Sequence, residues 1–170
     1  MRLLAGFVFL HFAASIRRVL GDAETAGRGS AELARVAFAG AVTGMAGMAI
    51  AIVTIASATS EGADVEPVVS RAVASASAGP FLVSAMGFAA FLLPAGLLTL
   101  RSGVFSRWVG IVALVGGVAF LVTFVAVIDG LGQDSLFGFG FFPGVLALVI
   151  WSIATSIALS RVVPRAAAKA

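Results

Sequence analysis

Polar side chains that could carry chemistry are few in this chain, and the first of them is His11. It is the only histidine and lies inside an apolar stretch, where a polar residue is a functional candidate. At helical spacing His11, Ser15 and Arg18 share one face and could line a polar path. In the alternative, structural interpretation, a neutral imidazole hydrogen-bonds to a neighbouring carbonyl or hydroxyl, such as that of Thr43 or Ser156.

A row of hydroxyls marks the last long apolar run. Ser152, Ser156 and Ser160 repeat every four residues and so lie on one side of a helix. Such a row either ties helices together through hydrogen bonds or lines a substrate path. Pro94 lies inside an earlier run with Gly96 close by, and it predicts a kink that serves packing or, alternatively, gating.

The residue types exclude most enzymatic chemistry. A zinc site needs three or four ligands, and the chain has one histidine and no cysteine. Paired carboxylates and a nucleophile beside a base are also missing from the pattern. The glycine-rich piece GAVTGMAG lies in an apolar helix, so it is not a phosphate-binding loop. We therefore predict no catalytic residues, no cofactor and no metal, and a chain that is not an enzyme.

Composition places the chain in a membrane. Of its 170 residues 61% are hydrophobic and 11% are charged, with a mean hydropathy of +1.13, whereas soluble domains carry about 25% charged residues. The basic residues lie at the ends of apolar runs and not in one patch, which argues against binding of nucleic acid. The predicted surroundings are the lipid bilayer, with other membrane subunits or a second copy of the chain as further partners.

The predicted fold is an all-α, polytopic membrane helix bundle that forms a single domain. Its five transmembrane spans cover residues 1–20, 36–58, 81–100, 108–128 and 142–162. A short amphipathic helix at 65–78, ended by Gly79 and Pro80, is expected to lie on the membrane surface. The basic tail at 163–170 is expected to be loose, and Ser30 is expected to cap the second helix.

The second span has one side made only of small residues. A helix with such a groove is suited to close packing against another helix, and the first span is its predicted partner. A shorter patch of the same kind lies on the fourth span. The predicted packing residues are Ala37, Gly40, Gly44, Gly47 and Ala51 on the second span, and Gly110, Ala113 and Gly117 on the fourth.

The basic residues predict the orientation. With five spans, nine lysines and arginines fall on one side, in the first and third connections and the tail, and only Arg2 and Arg71 fall on the other. By the positive-inside rule the nine are cytoplasmic, so the N-terminus is outside and the C-terminus inside. Arg71 is also a candidate for an ion pair with Asp129 or Asp134.

Two phrases of the sequence carry a resemblance. LLAGFVFLHFAASIRRVL followed by GDAETAG, and later LRSGVFSRWVG, resemble uncharacterised multi-pass membrane proteins common in actinobacteria, over roughly residues 3–125. The resemblance implies the bacterial plasma (inner) membrane but no activity. Those proteins usually carry another span before the first phrase, so we expect either a short form or a start upstream of Met1.

Two functions follow from these observations. The first is a structural or accessory membrane protein without enzymatic activity, whose spans pack through small residues. The second is a small transporter or channel subunit with a polar path near His11 and the serines Ser152 and Ser156.

Overall fold

Five α-helices make up the part of the chain that the structure describes. The structure, a computed structural model, describes the backbone of residues 2–27, 29–59, 67–128 and 136–167 and most of their side chains. The helices are α1 (Arg2–Ala26), α2 (Glu32–Thr59), α3 (Pro67–Ser102), α4 (Arg107–Ile128) and α5 (Leu136–Ala167). No strand occurs in these ranges, and the predicted all-α class is confirmed.

Four of the helices contain stretches long and apolar enough to cross a membrane. They are Glu32–Ser57, Ser75–Ser102, Arg107–Val125 and Gly140–Ser160, of 19 to 28 residues each, which matches the roughly 20 residues that a bilayer core requires. The predicted first span lies in α1. Over its described residues α1 is not among these four, so its crossing stays a prediction.

Consecutive helices run antiparallel, and α3 lies at the centre. Close approaches join Gly40 to Phe91 and Gly47 to Ser84, so α2 and α3 run in opposite directions. α4 lies along the next side of α3, where Gly96 faces Gly110. The aromatic rings of α1 and α5 also reach α3. α3 consequently has the largest buried share of the four apolar stretches, 56%.

The predicted surface helix at 65–78 is not a separate element. From Pro67 onward it is the beginning of α3, which continues through Pro80 and Pro94 to Ser102. The prediction was wrong because it treated Gly79 and Pro80 as a helix end. A proline in a membrane helix removes one backbone hydrogen bond, but local adjustment and neighbouring groups compensate, and the helix continues. The bend expected at Pro94 stays a prediction.

The ends of two further elements differ from the prediction. The tail expected to be loose from residue 163 is helical as far as Ala167, within α5. The N-terminus of α2 is capped by Glu24 of α1 and not by Ser30. The Glu24 carboxylate accepts hydrogen bonds from the backbone N–H groups of Leu33 (3.3 Å) and Ala34 (3.1 Å). A carboxylate also complements the positive end of the helix dipole.

Aromatic rings fill the middle of the bundle. Phe91, Phe120 and Trp151 are fully buried, and the rings of Phe91 and Trp151 meet edge to face with centroids 5.2 Å apart. α1 contributes rings to the same cluster. We call this cluster the aromatic core, and its members are Phe9, Phe12, Phe88, Phe91, Phe120, Phe141 and Trp151.

Candidate functional site

The groove of small residues on α2 is occupied by α3. A Cβ atom added to Gly40 would lie 2.5 Å from the backbone nitrogen of Phe91, and one added to Gly47 would lie 2.7 Å from that of Ser84. At Gly44 the added atom would lie 2.8 Å from the ring of Phe88. Ala37 and Ala51 are buried along the same helix.

The partner predicted for this groove, the first span, is therefore wrong. Close approach of two backbones requires small residues on both helices. α3 offers Gly87, whose added Cβ would lie 2.6 Å from the Cα of Gly44. α1 meets the bundle with larger side chains, such as Phe9 and Ile16. It accordingly packs beside α2 and does not enter the groove.

The predicted packing residues of α4 lie against the other side of α3. Ala113 is fully buried. Cβ atoms added to Gly110 and Gly117 would lie within 3 Å of the side chains of Leu100 and Leu93. Gly96 of α3 faces Gly110, with 2.9 Å between its added Cβ and the Gly110 carbonyl oxygen. α3 thus contacts α2 through Gly87 and α4 through Gly96.

His11 lines an open cleft between α1 and α5. This His11 cleft has a volume of about 540 Å³, and its lining includes His11, Ser15, Arg18, Val19, Leu159 and Ser160. The face predicted from helical spacing therefore borders one space. Of the three serines of α5 only Ser160 lines it. Ser156 is exposed and Ser152 is partly buried, and neither borders the cleft.

Most hydroxyl groups near the cleft donate to their own helix. The hydroxyl of Ser15 donates to the carbonyl oxygen of His11 (3.0 Å) and that of Ser160 to the carbonyl oxygen of Ile157 (2.9 Å). The buried Thr155 also donates to the carbonyl oxygen of Trp151 (2.7 Å). Hydroxyls bonded in this way are less available to a passing solute.

Two buried polar groups that sequence reasoning missed lack a hydrogen-bond partner in the described structure. They are the indole N–H of Trp151 and the hydroxyl of Ser84, and both side chains are fully buried. A buried donor without a partner costs about 1–3 kcal/mol. The sequence does not indicate that these two groups are buried, because the inward and lipid-facing sides of a membrane helix are both apolar.

Charged groups offer no metal-binding cluster in the part of the chain that the structure describes. Within it, no three histidine, aspartate or glutamate side chains lie together in a way that could hold an ion. The predicted ion pair of Arg71 with Asp129 or Asp134 involves side chains outside the described residues. The arginines whose side chains the structure describes, Arg17, Arg18, Arg35, Arg101 and Arg107, all lie at one end of the antiparallel bundle, here called the arginine end.

Comparison with known proteins yields no match: no family model, curated protein or solved structure is significantly similar to the chain. Its class consequently rests on the helices themselves. The chain is a multi-helix membrane protein.

Proposed function

We propose that the chain is a structural or accessory integral membrane protein without enzymatic activity. The observation that carries the proposal is the aromatic core. Phe91, Phe120 and Trp151 are fully buried between the helices, at the level where a solute path through the bundle would have to pass. Tight packing of glycines on both sides of α3 further favours a rigid unit over one that opens and closes.

The alternative function is a small transporter or channel subunit. The His11 cleft favours it, because His11, Ser15 and Arg18 border one open space with Ser160. A transporter requires such a path to continue across the membrane and commonly carries charges at mid-depth. Packing of Phe12 against Trp151, with ring centroids 6.0 Å apart, fills the bundle centre near His11, which weighs against continuation of the path.

A flux measurement distinguishes the two functions. The purified protein is reconstituted into sealed vesicles, and proton, potassium and chloride fluxes are recorded with a channel-forming peptide as positive control. We expect fluxes equal to those of protein-free vesicles. A flux that His11→Ala or Ser160→Ala abolishes, and that Ser156→Ala outside the cleft leaves unchanged, would overturn the structural proposal in favour of transport.

We further propose five spans in a bacterial plasma membrane, with the N-terminus outside and the C-terminus in the cytoplasm. Support comes from the arginine end, because arginines collect on the cytoplasmic side. Phe9 of α1 packs on Phe88 and Phe91, near the middle of the apolar stretch of α3, which favours α1 as the fifth span. A C-terminal fusion to a reporter active only in the cytoplasm should be active, and a silent, intact fusion would reverse the orientation.

The partners of the chain and its relationship to other proteins are also proposals. Because α3 fills the groove of α2, a further subunit or second copy would have to pack on lipid-facing sides. Large apolar side chains are exposed there, among them Val53 of α2, Val115 of α4 and Leu146 of α5. The resemblance to the actinobacterial proteins stays a prediction from the sequence.

A further inference from the structure

A second cleft opens at the arginine end between α1 and α2. This arginine cleft has a volume of about 470 Å³, and Arg17, Arg18 and Arg35 line it together with Asp22 and Thr25. All five side chains are exposed. The cleft therefore gathers three guanidinium groups and a single carboxylate in one small space.

Small residues form the floor of the arginine cleft. Gly21 and Ala34 lie where α1 and α2 approach each other, with 3.8 Å between a Cβ atom added to Gly21 and the Cβ of Ala34. Neither residue has a side chain long enough to fill the space above it. The nearby carboxylate of Glu24 is turned to the first backbone amides of α2, so it does not occupy the cleft.

The three guanidinium groups are available to an anion. Arg17 lies over the ring of Phe38, with 5.2 Å from its Cζ atom to the ring centroid, and this cation–π contact does not neutralise the charge of the guanidinium group. The described structure records no ion pair between Asp22 and Arg18 or Arg35. Arginine is the residue best suited to phosphate, because its planar fork donates two parallel hydrogen bonds.

The arginine cleft adjoins the His11 cleft, because Arg18 and Ala14 line both. His11 precedes Arg18 by seven residues, or about 10 Å along the helix toward the bundle centre. Val19, which follows Arg18 in the sequence, and Leu159 of α5 supply apolar lining of the His11 cleft. A cationic cleft thus lies beside a cleft with apolar lining, which fits a molecule with a phosphate group and a hydrocarbon chain.

We propose that the arginine cleft binds the phosphate group of an anionic phospholipid whose acyl chain lies in the His11 cleft. Basic pockets between helices at a membrane surface recognise such headgroups. A free phosphate ion could bind to the same arginines but would leave the His11 cleft empty. The inference goes beyond a structural role, since it assigns a specific ligand to one side of the bundle.

Native mass spectrometry of the detergent-purified protein tests the proposal. Three probes are compared: phosphatidylglycerol, phosphatidylcholine and inorganic phosphate. We expect retained phosphatidylglycerol adducts and at least tenfold weaker binding of the other two. Equal retention of phosphatidylcholine would contradict recognition of an anionic headgroup, and equal binding of inorganic phosphate would replace the lipid with a free ion.

A charge-matched pair of variants separates the cleft from general attraction to the membrane boundary. Arg18→Gln with Arg35→Gln removes two cleft arginines, whereas Arg101→Gln with Arg107→Gln removes two exposed arginines from another connection at the same end. Each arginine that contacts the headgroup should contribute about fivefold to the affinity. Arg18→Gln with Arg35→Gln should therefore weaken phosphatidylglycerol binding about 25-fold, and Arg101→Gln with Arg107→Gln should weaken it less than twofold. Equal losses in both pairs would overturn the proposal.

A steric variant tests the two adjoining clefts without any change of charge. Ala14 is exposed and lines both spaces, so Ala14→Trp should obstruct the site. Ala46→Trp, at an exposed position of α2, is the control. We expect at least tenfold weaker phosphatidylglycerol binding for Ala14→Trp alone. Full binding by that variant would place the lipid elsewhere.

Discussion

Gly87 of α3 is the described glycine at which an added Cβ atom would come closest to the backbone of a neighbouring helix. An added Cβ would lie 2.6 Å from the Cα of Gly44 and 2.9 Å from the carbonyl oxygen of Gly40, and both are backbone atoms. Carbon atoms in contact prefer about 3.5–4.0 Å, so α2 and α3 would have to separate by about 1 Å. Overpacking of this kind costs about 1–3 kcal/mol, and the backbone contacts place Gly87→Ala at the upper end.

Gly79→Ala is the matched control on the same helix. A Cβ atom added to Gly79 meets nothing within 4 Å apart from its chain neighbours. Alanine is favoured over glycine inside a helix by about 1 kcal/mol, but a Cβ atom on the residue before Pro80 clashes with the proline ring in the helical conformation, and we expect the two effects to offset each other at Gly79. Gly87→Ala gains the helical preference without that clash and should destabilise the protein by about 2 kcal/mol, whereas Gly79→Ala should change stability by less than about 1 kcal/mol. Gly87→Ala should therefore be the less stable variant by about 2 kcal/mol.

Reversible unfolding in mixed micelles, with sodium dodecyl sulfate as the denaturant, measures this difference. Tryptophan fluorescence follows the transition, because Trp151 is fully buried in the folded bundle. Equal stability of Gly87→Ala and Gly79→Ala would refute the close approach of α2 and α3. Higher stability of Gly87→Ala than of the parent chain would refute it as well.

Three further predictions use the same unfolding transition, which is followed by circular dichroism for the Trp151 variants because they lack the buried fluorophore. Trp151→Phe should change stability by less than about 1 kcal/mol, because it removes an unpaired indole N–H along with some volume. Trp151→Ala should cost about 3 kcal/mol or more. Equal losses for the two variants would contradict a packing role for the ring. Glu24→Ala should cost about 1 kcal/mol through loss of the α2 cap, against less than about 0.5 kcal/mol for the exposed Asp22→Ala. Ala31 has a φ of 58°, so Ala31→Gly should stabilise the chain by up to about 1 kcal/mol, and a loss of stability would contradict that backbone conformation.

The sequence predicts the helices best where one apolar run is bounded by charge. α4 was expected at 108–128 and runs from Arg107 to Ile128, because Arg107 and the polar residues around it mark a clear beginning. The prediction fails at Gly79 and Pro80, which break helices in water. Inside an apolar environment the backbone gains more from staying helical than from ending, and α3 continues.

Contacts between distant parts of the chain were less predictable than the helices. In soluble proteins a hydrophobic stripe marks the inward face of a helix, but here both faces are apolar, so the burial of Trp151 and Phe120 gave no separate signal. The small residues of α2 predicted that a helix packs closely, yet they did not specify which one. Gly87 of α3 decides that point, since it provides the matching small residue.

The candidate site was predictable only in part. Helical spacing placed His11, Ser15 and Arg18 on one face, and they do border one cleft. The spacing of the α5 serines could not tell which hydroxyl reaches that cleft, because the answer depends on how α5 lies against α1. The arginine cleft depends in the same way on the packing of α1 against α2.

α3 fills the groove of α2, and a double-mutant cycle between Gly44 and Phe88 tests this packing most directly. A Cβ atom added to Gly44 would meet three atoms of the Phe88 ring at 2.8–3.0 Å, and the ring is held from behind by Phe120 with centroids 5.4 Å apart. Gly44→Ala should therefore cost about 1–3 kcal/mol in the parent chain and almost nothing when Phe88→Ala has removed the ring. A coupling free energy above about 1 kcal/mol is the predicted result, and effects that add to within about 0.5 kcal/mol would contradict the account.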